Sequence, residues 1–91
     1  MIIGRVIGNV WATRKEDSLN GHKLLVIKPV DFYSNTEYMT FVAVDKIGAG
    51  IGDKVLVVQG SSARKATDKI EAPVDAAIIG IIDEVEVDKE L

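Results

Sequence analysis

Three segments of this chain are apolar on both faces of the strands that they predict. They span residues 24–27, 55–58 and 76–82. A strand with one face in water should alternate apolar and polar residues, because successive side chains point to opposite faces of the sheet. These segments do not alternate, and both of their faces therefore require cover. Their β-branched residues, separated by short turn signals, predict an all-β barrel or sandwich.

The chain as a whole predicts five strands and one short helix. The strands are expected over residues 2–13, 22–30, 39–45, 54–59 and 76–87. Between the fourth and fifth strands, residues 60–69 favour one or two helical turns, with Ser61 or Ser62 as the N-cap. A chain of 91 residues has room for one hydrophobic core, so residues 1–91 are expected to form a single domain.

In the first predicted strand, every even-numbered position is apolar or small and is expected to face the core. These positions are Ile2, Gly4, Val6, Gly8, Val10 and Ala12. Glycine inside a strand indicates a sharp bend or a close approach of two backbones, as a closed barrel requires. Gly4 and Gly8 are therefore expected to serve barrel closure.

The surplus of apolar strand surface has an energetic consequence. One short helix is not expected to cover all these strands, and each large aliphatic side chain left in water forgoes about 1.5–3 kcal/mol. About four to six such side chains would match the whole stability of a small domain, roughly 5–15 kcal/mol. We therefore expect copies of the chain to cover each other, with Ile79 and Ile81 in the interface and cyclic closure as the usual outcome. The alternative is a solitary barrel whose loops fold over β-favouring residues.

Composition and charge narrow the classes of function. The net charge is −3, whereas nucleic-acid-binding modules usually carry a basic stripe. The chain has no cysteine, which excludes disulfides and thiolate metal sites and favours a reducing compartment. It has neither a signal-peptide pattern nor an apolar run of the ~20 residues that span a bilayer. We expect a cytoplasmic protein with no nucleic-acid or membrane partner.

The glycines of Gly48-Ala49-Gly50-Ile51-Gly52 invite comparison with nucleotide-binding loops. A dinucleotide fingerprint has a different spacing and opens a helix, and a phosphate loop ends in Gly-Lys-Ser/Thr. This segment instead precedes Lys54-Val55-Leu56-Val57, which is typical of a strand. It is interpreted as a tight turn that needs positive φ angles.

The sequence contains few candidate residues for a catalytic, metal-binding or cofactor-binding site. His22 is the only histidine and does not make a zinc site alone, and no nucleophile-elbow sequence surrounds Ser61 or Ser62. The carboxylates at predicted strand ends are expected to cap turns, although a paired-carboxylate site stays open: Asp45, Asp53, Asp75 and Asp83. We expect no enzymatic activity, no metal and no cofactor.

Five segments, in order and near the expected spacing, resemble a known family. They span residues 12–15, 19–25, 44–53, 60–64 and 73–83. The family is that of the bacterial microcompartment vertex proteins, EutN/CcmL. The resemblance runs over residues 2–83, and its most specific segments together are Gly-Ser-Ser-Ala-Arg at 60–64 and Pro-Val-Asp-Ala-Ala at 73–77.

What this resemblance implies is a five-stranded, OB-like β-barrel that forms a cyclic homopentamer. Such pentamers would close the fivefold vertices of a cytoplasmic microcompartment shell, beside hexameric shell proteins. A flat hexagonal sheet does not close into a shell without points of fivefold symmetry. The expected role is therefore structural.

The resemblance also carries over to individual positions as candidates for assembly. The matching residues are Thr13, Lys15, Asp45, Gly48, Gly50, Ser61, Ser62, Arg64 and Asp75. Arg64 and the loop over residues 48–53 are hypothesised to lie at subunit or shell contacts, with an arginine–carboxylate pair as one option. The sequence departs from the family most in residues 31–38 and in the acidic segment after Asp83.

Two other classes of function stay open at this point. An OB-like binding module for nucleic acid or another ligand would stack bases on aromatic residues interleaved with cations, and Trp11 with Arg5 or Arg14 is the nearest approach. Such a module predicts salt-dependent oligonucleotide binding. A small enzyme predicts loss of turnover when a clustered carboxylate is changed.

Overall fold

Five strands and one helix form the described part of the chain. The computed structural model describes residues 1–11, 22–30, 38–66 and 74–88. The elements in chain order are β1 (Ile2–Val10), β2 (Lys23–Pro29), β3 (Phe41–Asp45), β4 (Lys54–Gln59), α1 (Ser61–Ala66) and β5 (Ala76–Ile81). Within these described residues, no helix is long and apolar enough to cross a bilayer.

The strands close into a barrel in the order β1-β2-β3-β5-β4. All pairings are antiparallel except that of β3 with β5, where Val44 lies opposite Ala77 and Asp45 opposite Ile78. This parallel pair is possible because β4 and α1 intervene and return the chain in the same direction. The all-β barrel of five strands, with one short helix between the fourth and fifth, is confirmed.

The barrel interior holds the main hydrophobic core. Its buried members are Val6, Leu25, Ile27, Ala43, Ala49, Val55, Val57, Ala76 and Ile78. On β1 the predicted alternation holds through Val6, which is buried, while Arg5 and Ile7 are exposed. The register of β1 against β2 then shifts between Val6 and Gly8, so Ile7 is the extra residue of a β-bulge.

A second apolar cluster lies on the outer face of the barrel, under α1. It consists of Val44, Val58, Ala63, Val74 and Ala77, with Leu24 packed against it. Ala63 of the helix is fully buried, so the helix covers the outward side chains of the strands beneath it. The two-faced apolar pattern of the sequence is thus satisfied in part within one chain.

Gly4 is required by a close approach of β1 and β2. A Cβ atom at Gly4 would overlap Cγ2 of Ile27 and lie 3.2 Å from the carbonyl oxygen of Lys28. At Gly8 the same atom would meet only Val26, at 3.8 Å, which is an ordinary contact. The predicted close approach is therefore confirmed at Gly4, whereas Gly8 lies at the bulge.

The expected strand bounds need correction at several ends. The prediction that the fifth strand runs over residues 76–87 is wrong, because β5 ends at Ile81. The last backbone hydrogen bond to β4 is donated by the N–H of Ile82 to the carbonyl oxygen of Lys54, at 2.7 Å. Since β4 begins at Lys54, it offers no further partner. β1 ends at Val10, and residues 12–13 of the predicted first strand lie outside the described residues. β2 and β3 are shorter than predicted, and β4 has the predicted bounds.

Replacing Gly4 by alanine should destabilise the barrel by about 1–3 kcal/mol, because the added methyl group overpacks the contact with Ile27. The matched control is Gly8→Ala, which finds space and should be neutral or stabilising by up to about 1 kcal/mol. Urea unfolding of both variants at one protein concentration measures the difference. Equal stabilities of the two variants would contradict the close approach.

Candidate assembly surface

Folding leaves a set of large apolar side chains on the surface of the described residues. They are Met1, Ile7, Trp11, Tyr38, Met39, Val42, Ile47, Ile51, Ile79 and Ile81. Trp11 is 90% exposed and Ile51 is 65% exposed, so these two gain little from burial within their own chain. Exposed apolar residues that lie near one another mark surfaces for association.

The apolar surplus is distributed differently from the prediction. In β2 and β4 the inward side chains fill the barrel, and of the outward ones Leu24 and Val58 pack in the cluster under α1. Val26 and Leu56 remain partly exposed, so the surplus on these two strands is smaller than predicted but not absent. In β5 the expectation holds, since Ile79 and Ile81 are exposed. Ile79 is the extra residue of a second bulge, at the register shift of β4 against β5.

One shallow depression of about 300 Å³ lies beside α1. It is lined by Val44, Lys46, Ile47, Ala66, Ala77, Ile78 and Ile79. Ile47 and Ile79 are both exposed, which makes this surface apolar with one cation, Lys46. It is suited to receiving an apolar side chain of another molecule.

A second depression of about 390 Å³ lies where the end of β1 meets the start of β2 and the loop before β4. Its lining is formed by Asn9, Val10, Trp11, His22, Lys23, Leu24, Gly50 and Ile51. The exposed Trp11 and Ile51 therefore belong to one surface. Sequence reasoning missed Ile51, although an isoleucine between two glycines of a turn is itself a signal, because turns normally carry polar residues.

The loop that carries Ile51 is organised by one buried carboxylate. Asp45 is 2% exposed at the end of β3. Its Oδ1 accepts the N–H of Ile47 at 2.9 Å, and its Oδ2 accepts the N–H of Ala49 at 2.8 Å. The N–H of Gly48 lies 3.3 Å and 3.2 Å from the two oxygens. Asp45 therefore acts inside its own chain, as the predicted turn-capping carboxylate.

Lys23 compensates the charge of this carboxylate. Lys23 lies directly opposite Asp45 in the pairing of β2 with β3, and its Nζ lies 3.7 Å from Oδ2 of Asp45. The same ammonium group donates to the carbonyl oxygen of Ala49 at 2.7 Å. The start of the turn, at Ala49, is thus bound to Lys23 of β2 and Asp45 of β3. These contacts fix the backbone of the residues that follow Ala49.

The rest of the loop is held by its own glycines and by β1. Gly48 and Gly52 have φ angles of 101° and 95°, as the predicted positive-φ turn requires. Oδ2 of Asp53 accepts the N–H of Gly50 at 2.8 Å. The N–H of Gly52 donates to the carbonyl oxygen of Val6 at 2.8 Å, and the N–H of Val6 donates to the carbonyl oxygen of Asp53 at 2.9 Å. The loop thus presents Ile51 from a fixed backbone.

The structure separates the candidate residues into distinct places. Gly48 and Gly50 lie in the loop of the second depression, and Ile79 lines the first. Asp75 is exposed directly before β5. Arg64 is a residue of α1. Thr13 and Lys15 lie outside the described residues.

The serines do not occupy the predicted N-cap position. Ser61 and Ser62 are the first residues of α1 and both are exposed. The residue before the helix is Gly60, with a φ angle of 66°, and its carbonyl oxygen accepts the N–H of Ala63 at 3.1 Å. A glycine is used because the chain leaves β4 through the left-handed region.

Among the described residues, no group of three or more histidine or acidic side chains is placed to hold a metal ion.

A closed barrel, a turn fixed by a buried carboxylate and apolar side chains left at two surface depressions together define a small assembly module. The chain belongs to the EutN/CcmL family, whose model, described as ethanolamine utilisation protein EutN/carboxysome, matches residues 1–83.

Relatives support this assignment over nearly the whole chain. The bacterial microcompartment shell vertex protein GrpN of Rhodospirillum rubrum is 46% identical over 86 residues, covering 94% of this chain and 97% of GrpN. The carboxysome shell vertex protein CcmL of Synechococcus elongatus is 46% identical over 88 residues, covering 97% of this chain and 89% of CcmL. These relatives are shell proteins, which agrees with the expectation that this chain is not an enzyme.

Solved structures agree with the sequence comparison. The pentameric microcompartment shell protein GrpN from Rhodospirillum rubrum superimposes with a TM-score of 0.83 at 44% identity, covering 96% of this chain and 99% of that one. CcmL from Gloeobacter violaceus gives a TM-score of 0.86 at 42% identity, covering 98% and 92% of the two chains.

Replacing Asp45 by asparagine should destabilise the chain by about 2–3 kcal/mol, because an amide NH₂ group then faces the backbone N–H groups that the carboxylate accepts. The exposed Asp75 is the matched control, and Asp75→Asn should change stability by less than about 0.5 kcal/mol. Urea unfolding measures both. Amide hydrogen exchange at Ala49 should also accelerate in Asp45→Asn alone, and unchanged protection there would contradict the assigned role.

Proposed function

We propose that this chain is a structural vertex protein that forms cyclic homopentamers. In this role, the pentamers occupy the fivefold vertices of a bacterial microcompartment shell, in contact with hexameric shell proteins. The observation that carries the proposal is the likeness, over nearly the whole chain, to a pentameric shell protein at 44% identity and a TM-score of 0.83. The exposed apolar residues of the barrel give this likeness a physical basis.

The placement of those residues supports a ring rather than a twofold dimer. A cyclic assembly of more than two copies joins two different surfaces of each subunit, whereas a twofold interface joins one surface to itself. The chain carries two apolar surfaces, with Trp11 and Ile51 at one and Ile47 and Ile79 at the other. A side chain as exposed as Ile51 on one copy is suited to fill the depression beside α1 on the next.

The candidate residues divide accordingly. The loop with Gly48 and Gly50 serves the surface of Trp11 and Ile51, because it fixes the backbone beneath Ile51. Ile79 serves the surface beside α1. Ile81, Arg64 and Asp75 are retained as candidates for contacts between subunits, with an arginine–carboxylate pair as one option. Thr13, Lys15, Ser61 and Ser62 are retained as candidates for contacts with neighbouring subunits or hexameric shell proteins.

Replacing Ile79 or Ile81 by aspartate should weaken assembly at least tenfold, because burial of one aliphatic side chain contributes about 1.5–3 kcal/mol and a buried carboxylate opposes it. Light scattering and sedimentation should give about five chains for the unaltered protein and mainly monomers for the variants. Gln59→Glu, an exposed change on β4, is the matched control and should assemble normally.

Circular dichroism decides whether the aspartate variants stay folded. Both isoleucines are partly exposed in the single chain, at 37% and 41%, so the barrel should persist. Folded variants that assemble like the unaltered protein would refute the role of β5 in the interface. A protein that is itself monomeric at micromolar concentration would overturn the proposed function.

A further inference from the structure

Among the described residues, two strands of the barrel run beyond the strand that covers one of their edges. β5 pairs with β4 as far as Ile81, but its pairing with β3 stops at Ile78, which lies opposite Asp45. In this part of the chain, residues 79–81 therefore have a paired strand on one side only. An open strand edge carries backbone N–H and C=O groups that can bind a further strand.

The turn that Asp45 organises leaves this edge of β5 open. The carboxylate accepts the N–H groups of Ile47 and Ala49, so the chain bends away from the direction of β3 directly after Asp45. A straight continuation of β3 would lie beside residues 79–81. The depression of about 300 Å³ beside α1 has Ile79 and Ile47 in its lining, so it lies where β3 would otherwise continue.

The hydrogen bonds of β5 show which backbone groups face the open edge. The N–H of Ile82 donates to the carbonyl oxygen of Lys54 in β4. Successive residues of a strand direct their N–H and C=O groups to alternate sides, so those of Ile81 point away from β4. Ile81 therefore presents a donor and an acceptor at an edge that no described strand covers.

β1 has a second open edge, near its end. Its pairing with β4 stops at Arg5, whereas its pairing with β2 continues to Val10. The loop before β4 covers Val6 through two backbone hydrogen bonds, and beyond it residues 8–10 pair with β2 alone among the described residues. The depression of about 390 Å³ has Asn9 and Val10 in its lining, so it lies against this open edge.

The same alternation identifies Asn9 as the residue whose backbone faces this edge. Val6 uses its N–H and C=O groups for the loop, so the pair of Val6 with Ile27 is not mutually hydrogen-bonded. Opposed pairs of an antiparallel ladder alternate between bonded and non-bonded. After the bulge, the pair at Gly8 therefore bonds to β2 and the pair at Asn9 does not. The backbone donor and acceptor of Asn9 point away from β2.

The two open edges lie on the two apolar surfaces of the chain. That of β1 belongs to the surface with Trp11 and Ile51, and that of β5 borders the depression that Ile79 lines. A strand edge flanked by exposed apolar side chains is a site for strand addition by another chain. A ring joins two different surfaces of each copy, so one open edge on each surface suits a heterologous contact.

We propose that the end of β1 in one copy pairs with the end of β5 in the next copy, so that the sheet continues from barrel to barrel around the ring. Asn9 and Ile81 meet through backbone hydrogen bonds, and the apolar side chains beside them are buried by the same contact. This inference rests on the proposed cyclic assembly and names the strand edges that join its subunits.

Proline tests the backbone contact. It has no N–H group and is tolerated on strand edges where the N–H faces outward. Asn9→Pro should therefore stay folded by circular dichroism, and should assemble at least tenfold more weakly by sedimentation over a concentration series. Asn9→Ala keeps the N–H group and is the matched control, which should assemble like the unaltered protein. A folded Asn9→Pro chain that assembles equally well would overturn the proposal.

Disulfide cross-linking tests which residues meet, because the chain has no cysteine of its own. Paired strands lie about 4.8 Å apart, within the Cα separation of about 4.4–6.8 Å that a disulfide spans. A chain with Asn9→Cys and Ile81→Cys should give, after oxidation of the assembled protein, a ladder of linked chains in a denaturing gel. A chain with Asn9→Cys and Gln59→Cys is the matched control and should give none. Equal ladders, or none from either chain, would contradict the pairing.

Amide hydrogen exchange tests the unaltered protein without any substitution. The amides of Asn9 and Ile81 should exchange at least tenfold more slowly in the assembled protein than in chains dissociated by dilution. The amide of Ile82, which is bonded within each chain, is the internal control and should be protected in both states.

The outcomes separate this inference from the proposed function. An assembled protein in which the amides of Asn9 and Ile81 exchange as fast as in single chains would overturn the strand pairing and leave the ring standing. An unaltered protein that never assembles would overturn both. Protection that arises only when a hexameric shell protein is added would assign these edges to that partner and overturn the pairing between copies.

Discussion

The buried carboxylate of Asp45 is the interaction on which the arrangement of this barrel depends. It ends β3, faces Lys23 across the sheet and accepts backbone N–H groups of the turn after β3. That turn is bonded in its later part to Val6 of β1. The Asp45 side chain thus joins β2 to the end of β3, and the turn that it holds continues to backbone hydrogen bonds with β1. A buried charge is tolerated here because hydrogen bonds and a cation compensate its desolvation.

Fixing the turn has a consequence for the surface. Ile51 is 65% exposed on a backbone that the core side of the loop holds in place. Rigid presentation lowers the entropy lost on association, because the loop needs no ordering when a partner arrives. The Asp45 carboxylate therefore stabilises the fold and also holds Ile51 in position for an apolar contact. Loss of the carboxylate is expected to weaken that contact.

Sequence pattern predicted what depends on local chemistry. The bounds of β4 follow from the glycines on either side of it, and α1 follows from its composition. The predicted end of the fifth strand was wrong. The apolar–polar alternation of the sequence continues beyond Ile81, whereas the partner strand β4 does not extend that far. The burial of Asp45 and the cover that Val74 gives the outer face depend on contacts distant in sequence, which periodicity does not encode.

Apolar and ionic contacts would have different roles in a ring of this kind. Burial of side chains such as Ile51 and Ile79 is non-directional and contributes affinity without specifying which surfaces meet. Complementary charges contribute less affinity but disfavour wrong pairings, since like charges then face each other. A ring must join its two surfaces head to tail, and two apolar surfaces alone would also allow each to pair with itself.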